Sequence, residues 1–345
     1  MQTTAAYYVG DKHFSIEQVT SQPPGPGEVQ IDVAYCGICG TDLHVYLGHM
    51  DARIGDHRVI GHEMSGTVAA VGDGVNGFEP GQTVVVRPLD HCGTCPACQR
   101  GHQHICQKLK FLGLDTDGAF QQKWTVPAHT LHHVPEGLSL AHAALIEPLA
   151  VACHDVGRGR VAQGEDVLVI GGGPIGLLIA MVARHAGGNV TLSEINENRV
   201  AFARQLGFTT INPAECDAAQ TINDATGGKG TDVIFEVSGS QPGVDLMTAV
   251  AATRARIVMV AIHATRPQVD LFQFFWREIE MFGARVYEPA DYDEAMALLA
   301  GGVIDADAMI TDIRGLEDLE DAFAELAGNP KAIKTLIQCN AEAGS

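Results

Sequence analysis

"DVLVIGGGPIGLLIAMVARHAG", residues 166–187, decides the fold. The apolar run from Val167 to Ile170 has the β-branched content of a buried strand. Glycines at 171, 173 and 176 then give G-x-G-x-x-G, with Pro174 and Ile175 inside the pattern. An apolar helix follows and ends at glycine. A strand, a glycine turn and a helix N-terminus in that order let backbone N–H groups meet a pyrophosphate. Gly171, Gly173, Pro174, Ile175 and Gly176 are therefore expected to hold a dinucleotide. The next strand-like stretch, "NVTLSE", ends in Glu194, 18 residues after Gly176. An acid at that spacing accepts hydrogen bonds from the adenosine ribose and repels a 2′-phosphate, which favours NAD over NADP. Arg199, five residues further on, is expected to cover the adenosine edge. The bland alternative is that the glycines only pack strand on helix and Glu194 is a surface acid.

Outward from this stretch the pattern repeats. "NRVAFARQLG" reads as a helix, "TDVIFEVSG" and "ARIVMVAI" as buried strands, and "GARVY" at 283–287 as the closing strand. Strands alternating with helices predict a parallel sheet covered on both faces. "YDEAMALLAGG" and "LEDLEDAFAELAG" are later amphipathic helices. Residues 1 to about 150 have a different texture. Short alternating strands, as in "GEVQIDV" and "SGTVAAV", are separated by Pro/Gly turns, as in an all-β domain.

The chain has 345 residues, which suits two domains. With 42 acidic against 22 basic residues the formal net charge is −20. Such a surface excludes nucleic acid as a partner and disfavours anionic membranes. No apolar run approaches the roughly 18 residues of a membrane span. The N-terminal stretch lacks the marks of a signal peptide, so a cytoplasmic location is expected. Nine cysteines in a chain of this kind point to metal or chemistry rather than to disulfides.

"CGTCPACQRGHQHIC" carries Cys92, Cys95, Cys98 and Cys106. Four thiols so spaced can close around one tetrahedral zinc with no open position, which makes a structural site. "CGICGTDLH", residues 36–44, is open to three readings: a redox dithiol, half of a zinc site, or two buried cysteines. A second metal site needs ligands from separate segments, and "GHE" at 61–63 and "EPLAVACHDV" from Glu147 offer them.

In this order, "CGICGTDLH", "GHE", the cysteine lobe, "EPLAVACHDV" and "GGGPIG" resemble the zinc-dependent medium-chain dehydrogenases over essentially the whole chain. Glutamate at 147 is similar to the sorbitol, butanediol and threonine dehydrogenase branch. The resemblance implies an α/β architecture. A GroES-like β-rich catalytic domain (1–150 and 286–345) is joined to a Rossmann doubly wound parallel-sheet domain (151–285), with the active site in the cleft. It implies two zinc ions per subunit. One is catalytic, held by Cys39 and His62 with Glu63 and Glu147 nearby; the other is structural. Cys36 has no implied role, and Asp42 is expected to fix a ligand or a turn. Zinc would polarise the substrate oxygen and hydride would pass to NAD. Thr41 would take the alcohol proton and pass it, through the cofactor ribose, to His44. Tyr46 is open between a substrate contact and wall packing. The implied substrate is a small secondary alcohol or its ketone: a polyol, vicinal diol or sugar-derived hydroxyl. L-threonine 3-dehydrogenase is the enzymatic alternative, and a non-catalytic NAD-binding protein on the same fold is the other. The resemblance also implies a homo-oligomer, a tetramer or dimer.

Overall fold

The computed structural model describes residues 1–328 and 330–340. Residue 329 and residues 341–345 of the expected 286–345 segment lie outside the described residues. The chain divides into two compact units. One is Met1–Glu147 with the segment returning from Glu288; the other is Pro148–Tyr287.

The second unit is built on six parallel strands. Their spatial order is Thr209–Ile211, Asn189–Ser193, Asp166–Ile170, Thr231–Glu236, Ala251–Met259 and Glu280–Gly283. The chain enters at Asp166–Ile170, builds to one side, then returns to build on the other from Thr231–Glu236. The crevice at the carboxyl ends of these two neighbours is the topological switch point of a doubly wound sheet. In the core of the sheet, Leu168, Ile170, Ile234 and Ile257 share one buried cluster with Val244 and Met247 of helix Gln241–Val250. That is why these strands read as continuous apolar runs.

The sixth strand corrects the expected one. Pairing ends at Gly283, opposite Met259, so only the first residue of "GARVY" is in the sheet. Val286 has φ +51°, a left-handed conformation that a strand cannot contain and that a β-branched side chain resists.

The first unit holds a seven-stranded sheet centred on Glu28–Gly37. Strand Glu63–Val71 pairs along one edge of it. The other edge is shared by Lys123–Pro127 and, at residues 35–37, by Lys334–Gln338. Gly37 thus lies between Glu63 and Leu336 in the register. A smaller antiparallel sheet pairs Gln2–Tyr8 with Phe14–Thr20 and Arg58–Val59. The region is β-rich as expected, with short helices at the corners, among them Gly40–Tyr46. No helix among the described residues is long and apolar enough to cross a membrane.

Candidate metal centres and dinucleotide site

Strand Glu28–Gly37 ends two residues before Cys39, which is the N-cap of helix Gly40–Tyr46. Its Sγ accepts from the Thr41 N–H at 3.5 Å, and Asp42 Oδ2 accepts from the Cys39 N–H at 2.9 Å. The two contacts form a capping box, with the cysteine sulfur in the place of the usual hydroxyl. Asp42 is fully buried, with Oδ1 3.5 Å from Nδ1 of buried His62. His62 follows Gly61, whose φ is +96°; a β-carbon there would lie 2.9 Å from Cys36 Sγ and 2.8 Å from the Phe120 ring. The next residue, Glu63, opens the strand that pairs with Gly37. One ligand atom each from Cys39, His62 and Glu63 therefore falls within 4.8 Å of the others. Glu147, 5% exposed in the first turn of helix Ile146–Gly159, is not part of that trio.

Burial, then the Glu63 charge, pushes the Cys39 thiol up, while His62 works against the shift. Burial opposes the His62 cation, but Asp42 and Cys39 override it and raise that pKa well above the ordinary value. A thiol, an imidazole and a carboxylate crowded into a dry pocket suit a borderline-soft divalent ion such as zinc, whose charge would stabilise the thiolate. Cys36 is fully buried, and burial raises its thiol well above the usual range, away from the thiolate a redox dithiol needs.

Sequence reasoning missed Lys334. It is 2% exposed, and Nζ donates to Ile38 O at 2.9 Å and to Glu63 Oε2. The pair crosses directly over Gly37, where a β-carbon would collide with Glu63 Oε2 and come within 2.7 Å of Lys334 Cε. A lysine inside the buried run "KTLIQ" is the one sequence signal that could have found it.

The sulfurs of Cys92, Cys95, Cys98 and Cys106 also fall within 4.8 Å of one another. Cys95 Sγ is 3.5 Å from Cys98 Sγ, and Cys106 Sγ is 3.5 Å from Cys92 Sγ. Backbone N–H groups of Cys95, Gln107 and Lys108 donate to Cys92, Cys95 and Cys106 sulfurs at 3.3–3.4 Å. Such donors, those of Thr94 foremost, bring the Cys92 thiol down to about 6. Burial pushes the Cys98 thiol the other way, up to about 12, so the lobe favours thiolate at Cys92 and Cys95, and a bound zinc would supply the charge that ionises Cys98.

Thr41 lies in the first turn of its helix and half-buried His44 in the last. Tyr46 is 6% exposed, its ring 5.3 Å from Phe323 and 6.2 Å from Phe14, within the packing of the unit.

In the second unit Gly171 has φ +108°, and a β-carbon on Gly176 would collide with Gly171 O. Gly173 caps helix Pro174–His185, with Pro174 at its first position and Ile175 next. Glu194 is 7% exposed and turned under the loop. Oε2 accepts from Gly172 N–H at 2.7 Å, and Oε1 from the Ile195 and Asn196 N–H groups at 2.7 Å each. The anion is fixed at the end of its strand, with Arg199 Nη1 3.9 Å away. Glu236, also unforeseen, is fully buried and accepts from the Ser238 and Gly239 N–H groups, pinning the turn that abuts Gly171.

The chain matches two family models. Residues 25–136 match the alcohol dehydrogenase GroES-like domain, and residues 174–301 match the zinc-binding dehydrogenase domain. It is 53% identical to a 2-dehydro-3-deoxy-L-galactonate 5-dehydrogenase of Pseudoalteromonas atlantica, over 98% of this chain and 99% of that one. It is 34% identical to an L-threonine 3-dehydrogenase of Pyrococcus abyssi, over 94% and 93%. Among solved structures, a zinc-binding dehydrogenase of Sinorhizobium meliloti bound to NADP superposes with a TM-score of 0.91 at 29% identity, covering 98% of this chain and 99% of that one.

Proposed function

The chain belongs to the zinc-dependent medium-chain dehydrogenase family, and from that premise we propose that it oxidises the C5 hydroxyl of 2-dehydro-3-deoxy-L-galactonate or a close sugar-acid relative, with NAD as acceptor. That it is an oxidoreductase of CH–OH donors using zinc and NAD(P) follows from the family. The observation that carries the chemistry is the trio of Cys39, His62 and Glu63 in one buried pocket. The substrate class rests on the 53% identity over nearly the whole of both chains, against 34% for the threonine enzyme.

When bound, zinc supplies Lewis acidity to the substrate oxygen and the nicotinamide accepts the hydride. Cys39 and His62 would hold the metal with a carboxylate from Glu63 or Glu147. Asp42 fixes the Cys39 amide and faces His62, which orients both ligands. Lys334 neutralises Glu63 and holds one of its oxygens. Thr41 takes the hydroxyl proton and His44 conducts it outward. Burial of the trio keeps water from competing. The loop 171–176 would receive the pyrophosphate at the helix N-terminus, and Glu194 would accept from the ribose through Oε2, which takes one backbone N–H against two on Oε1. Its fixed negative charge supports NAD over NADP. The four-cysteine lobe would hold the structural zinc.

A homo-oligomer is part of the proposal. Strand Glu280–Gly283 is an open sheet edge, and helix Leu271–Arg277 beside it in the chain exposes Leu271, Phe272, Phe275 and Trp276. A like edge of a second copy would satisfy both features. Free thiols throughout the described residues fit the reducing cytoplasm.

The test is NADH or NADPH formation with 2-dehydro-3-deoxy-L-galactonate, polyols, butanediols and L-threonine, alongside the mass of the assembly in solution. Turnover of the sugar acid with NAD is expected. Turnover of L-threonine alone would replace the substrate, and an NAD/NADP preference left unchanged by Glu194→Ala would overturn the ribose argument.

A further inference from the structure

Helix Gly40–Tyr46 ends in a turn that brings a second imidazole onto His44. Leu47 is the C-cap, and Gly48 follows with φ +79°. The Gly48 N–H donates to Val45 O at 2.8 Å and the His49 N–H donates to His44 O at 3.0 Å. These two bonds define a Schellman motif, which places the side chain two residues beyond the cap against the one three from the helix end. In most helices that contact is apolar. Here it joins two histidines, with Nδ1 of His44 3.2 Å from Nδ1 of His49 and ring centroids 5.5 Å apart. His44 is half-buried and His49 is exposed.

Resting on the reaction proposed above, we infer that His49 is the exit of the proton path, receiving from His44 through the Nδ1–Nδ1 contact the proton released by the alcohol. Two neutral imidazoles at that distance share one hydrogen bond, so one Nδ1 carries the proton and the other accepts it. With the proton on His44 Nδ1, His44 Nε2 is open to the incoming proton. Its arrival makes His44 an imidazolium. The Nδ1 proton passes to His49 Nδ1, and exposed His49 releases it to water. One proton enters and one leaves, and His44 regains its starting tautomer by exchange with water.

The other charged groups nearby are committed elsewhere. Asp42, on the same helix, is turned to the Cys39 amide and His62. Asp51, on the following helix, accepts from Tyr8 Oη at 3.0 Å. Burial lowers the His44 pKa, and the charge of His49 lowers it further. His44 is thereby kept from trapping the proton, which a conducting group requires. His49 acts through His44 and touches no reacting atom.

The test compares His49→Leu with His49→Ala. Leucine keeps the apolar contact of the helix cap and cannot carry a proton; alanine loses both. In each, kcat for alcohol oxidation near pH 7 in dilute buffer should fall by about tenfold, less than the roughly hundredfold of losing a primary acid–base group. KM and zinc content should hold, and added imidazole should restore the rate. Independently of activity, NMR titration of the wild-type protein should show His44 and His49 taking up their protons in two coupled steps. His44 in His49→Leu should take up its proton in a single step at higher pH. A pH–rate profile unchanged in His49→Leu, or a loss that imidazole does not restore, would overturn the exit and leave His49 as a helix cap. Failure of the wild-type protein to oxidise any alcohol would instead remove the reaction, and uncoupled NMR titrations would overturn the pair on their own.

Discussion

Replacing Lys334 by methionine keeps the length of the side chain and removes its charge, leaving Glu63 ionised and 1% exposed with its partner gone. The pair is dry on both sides, since Lys334 is itself 2% exposed. Breaking a buried pair by deleting one member costs about 3–5 kcal/mol, because the remaining charge has neither water nor counter-ion. The amine's second bond, to Ile38 O, falls within that figure, since the same strand edge loses it at the same time. Removing both charges has the opposite logic: Glu63→Gln with Lys334→Met should regain most of the loss, because no lone charge is then buried. Zinc beside Glu63 would replace part of the missing positive charge, so the variant's stability should depend more steeply on added zinc than the wild type's. Urea unfolding read by tryptophan fluorescence isolates the effect. Trp124 is 3% exposed and sits in the same unit as the pair, whereas the second tryptophan, Trp276, lies in the other unit and is removed by Trp276→Phe in every variant compared. A Lys334→Met protein within about 1 kcal/mol of wild type, or a double variant no better than the single one, would refute the buried-pair account.

Three further outcomes follow from the geometry. Burial, and then the charge of Arg87, holds His132 down to about 4 from an ordinary 6.5. As pH falls from 6.5 towards 4 the unfolded chain takes up a proton that the native state refuses, so stability is full above 6.5 and is lost on acidification, by at most about 3 kcal/mol; His132→Gln should flatten that slope in urea midpoints measured from pH 7 to 4. Asp11 and Lys12 are the central residues of the hairpin between strands Gln2–Tyr8 and Phe14–Thr20, with φ +48° and +65°, a type I′ turn. Lys12→Gly should stabilise the protein by about 1 kcal/mol, and an unchanged or lower melting temperature would count against the turn. Gly176→Ala should abolish NAD binding and cost about 1–3 kcal/mol by driving the helix off the loop. Gly173→Ala, whose β-carbon meets nothing nearer than Arg199 at 3.7 Å, should leave stability unchanged in the same melts.

What could be seen in the sequence was what is local. The strand, glycine turn and helix at 166–187 and the four cysteines at 92–106 are each set by residues a few positions apart. Their geometry follows from backbone rules that spacing already encodes. "GARVY" misled because alternation reports burial, not pairing: Tyr287 is fully buried, yet the left-handed φ at Val286 has already taken the chain out of the sheet. His49 was invisible because its contact depends on a left-handed glycine that turns the chain back over the helix end. The pairing of Lys334 with Glu63 was invisible for a stronger reason, the two being 271 residues apart in the chain and joined only by the register of two strands on either side of Gly37.

That lysine also explains why the pocket suits a divalent ion. Asp42, Glu63 and Glu147 are buried carboxyl groups, and Cys39 adds a fourth group that can carry negative charge. The charges of Glu63, Cys39 and Glu147 all bear on Lys334 and raise its pKa against the effect of burial. Against them stand Lys334 and the His62 imidazole, whose pKa Asp42 and Cys39 raise, while burial and then the Glu63 charge push the Cys39 thiol up. A bound dication would favour the thiolate and would need the neutral imidazole of His62. Metal binding at this site should therefore release protons from both Cys39 and His62, and Lys334, by pairing with Glu63 in advance, leaves less negative charge on the loaded pocket.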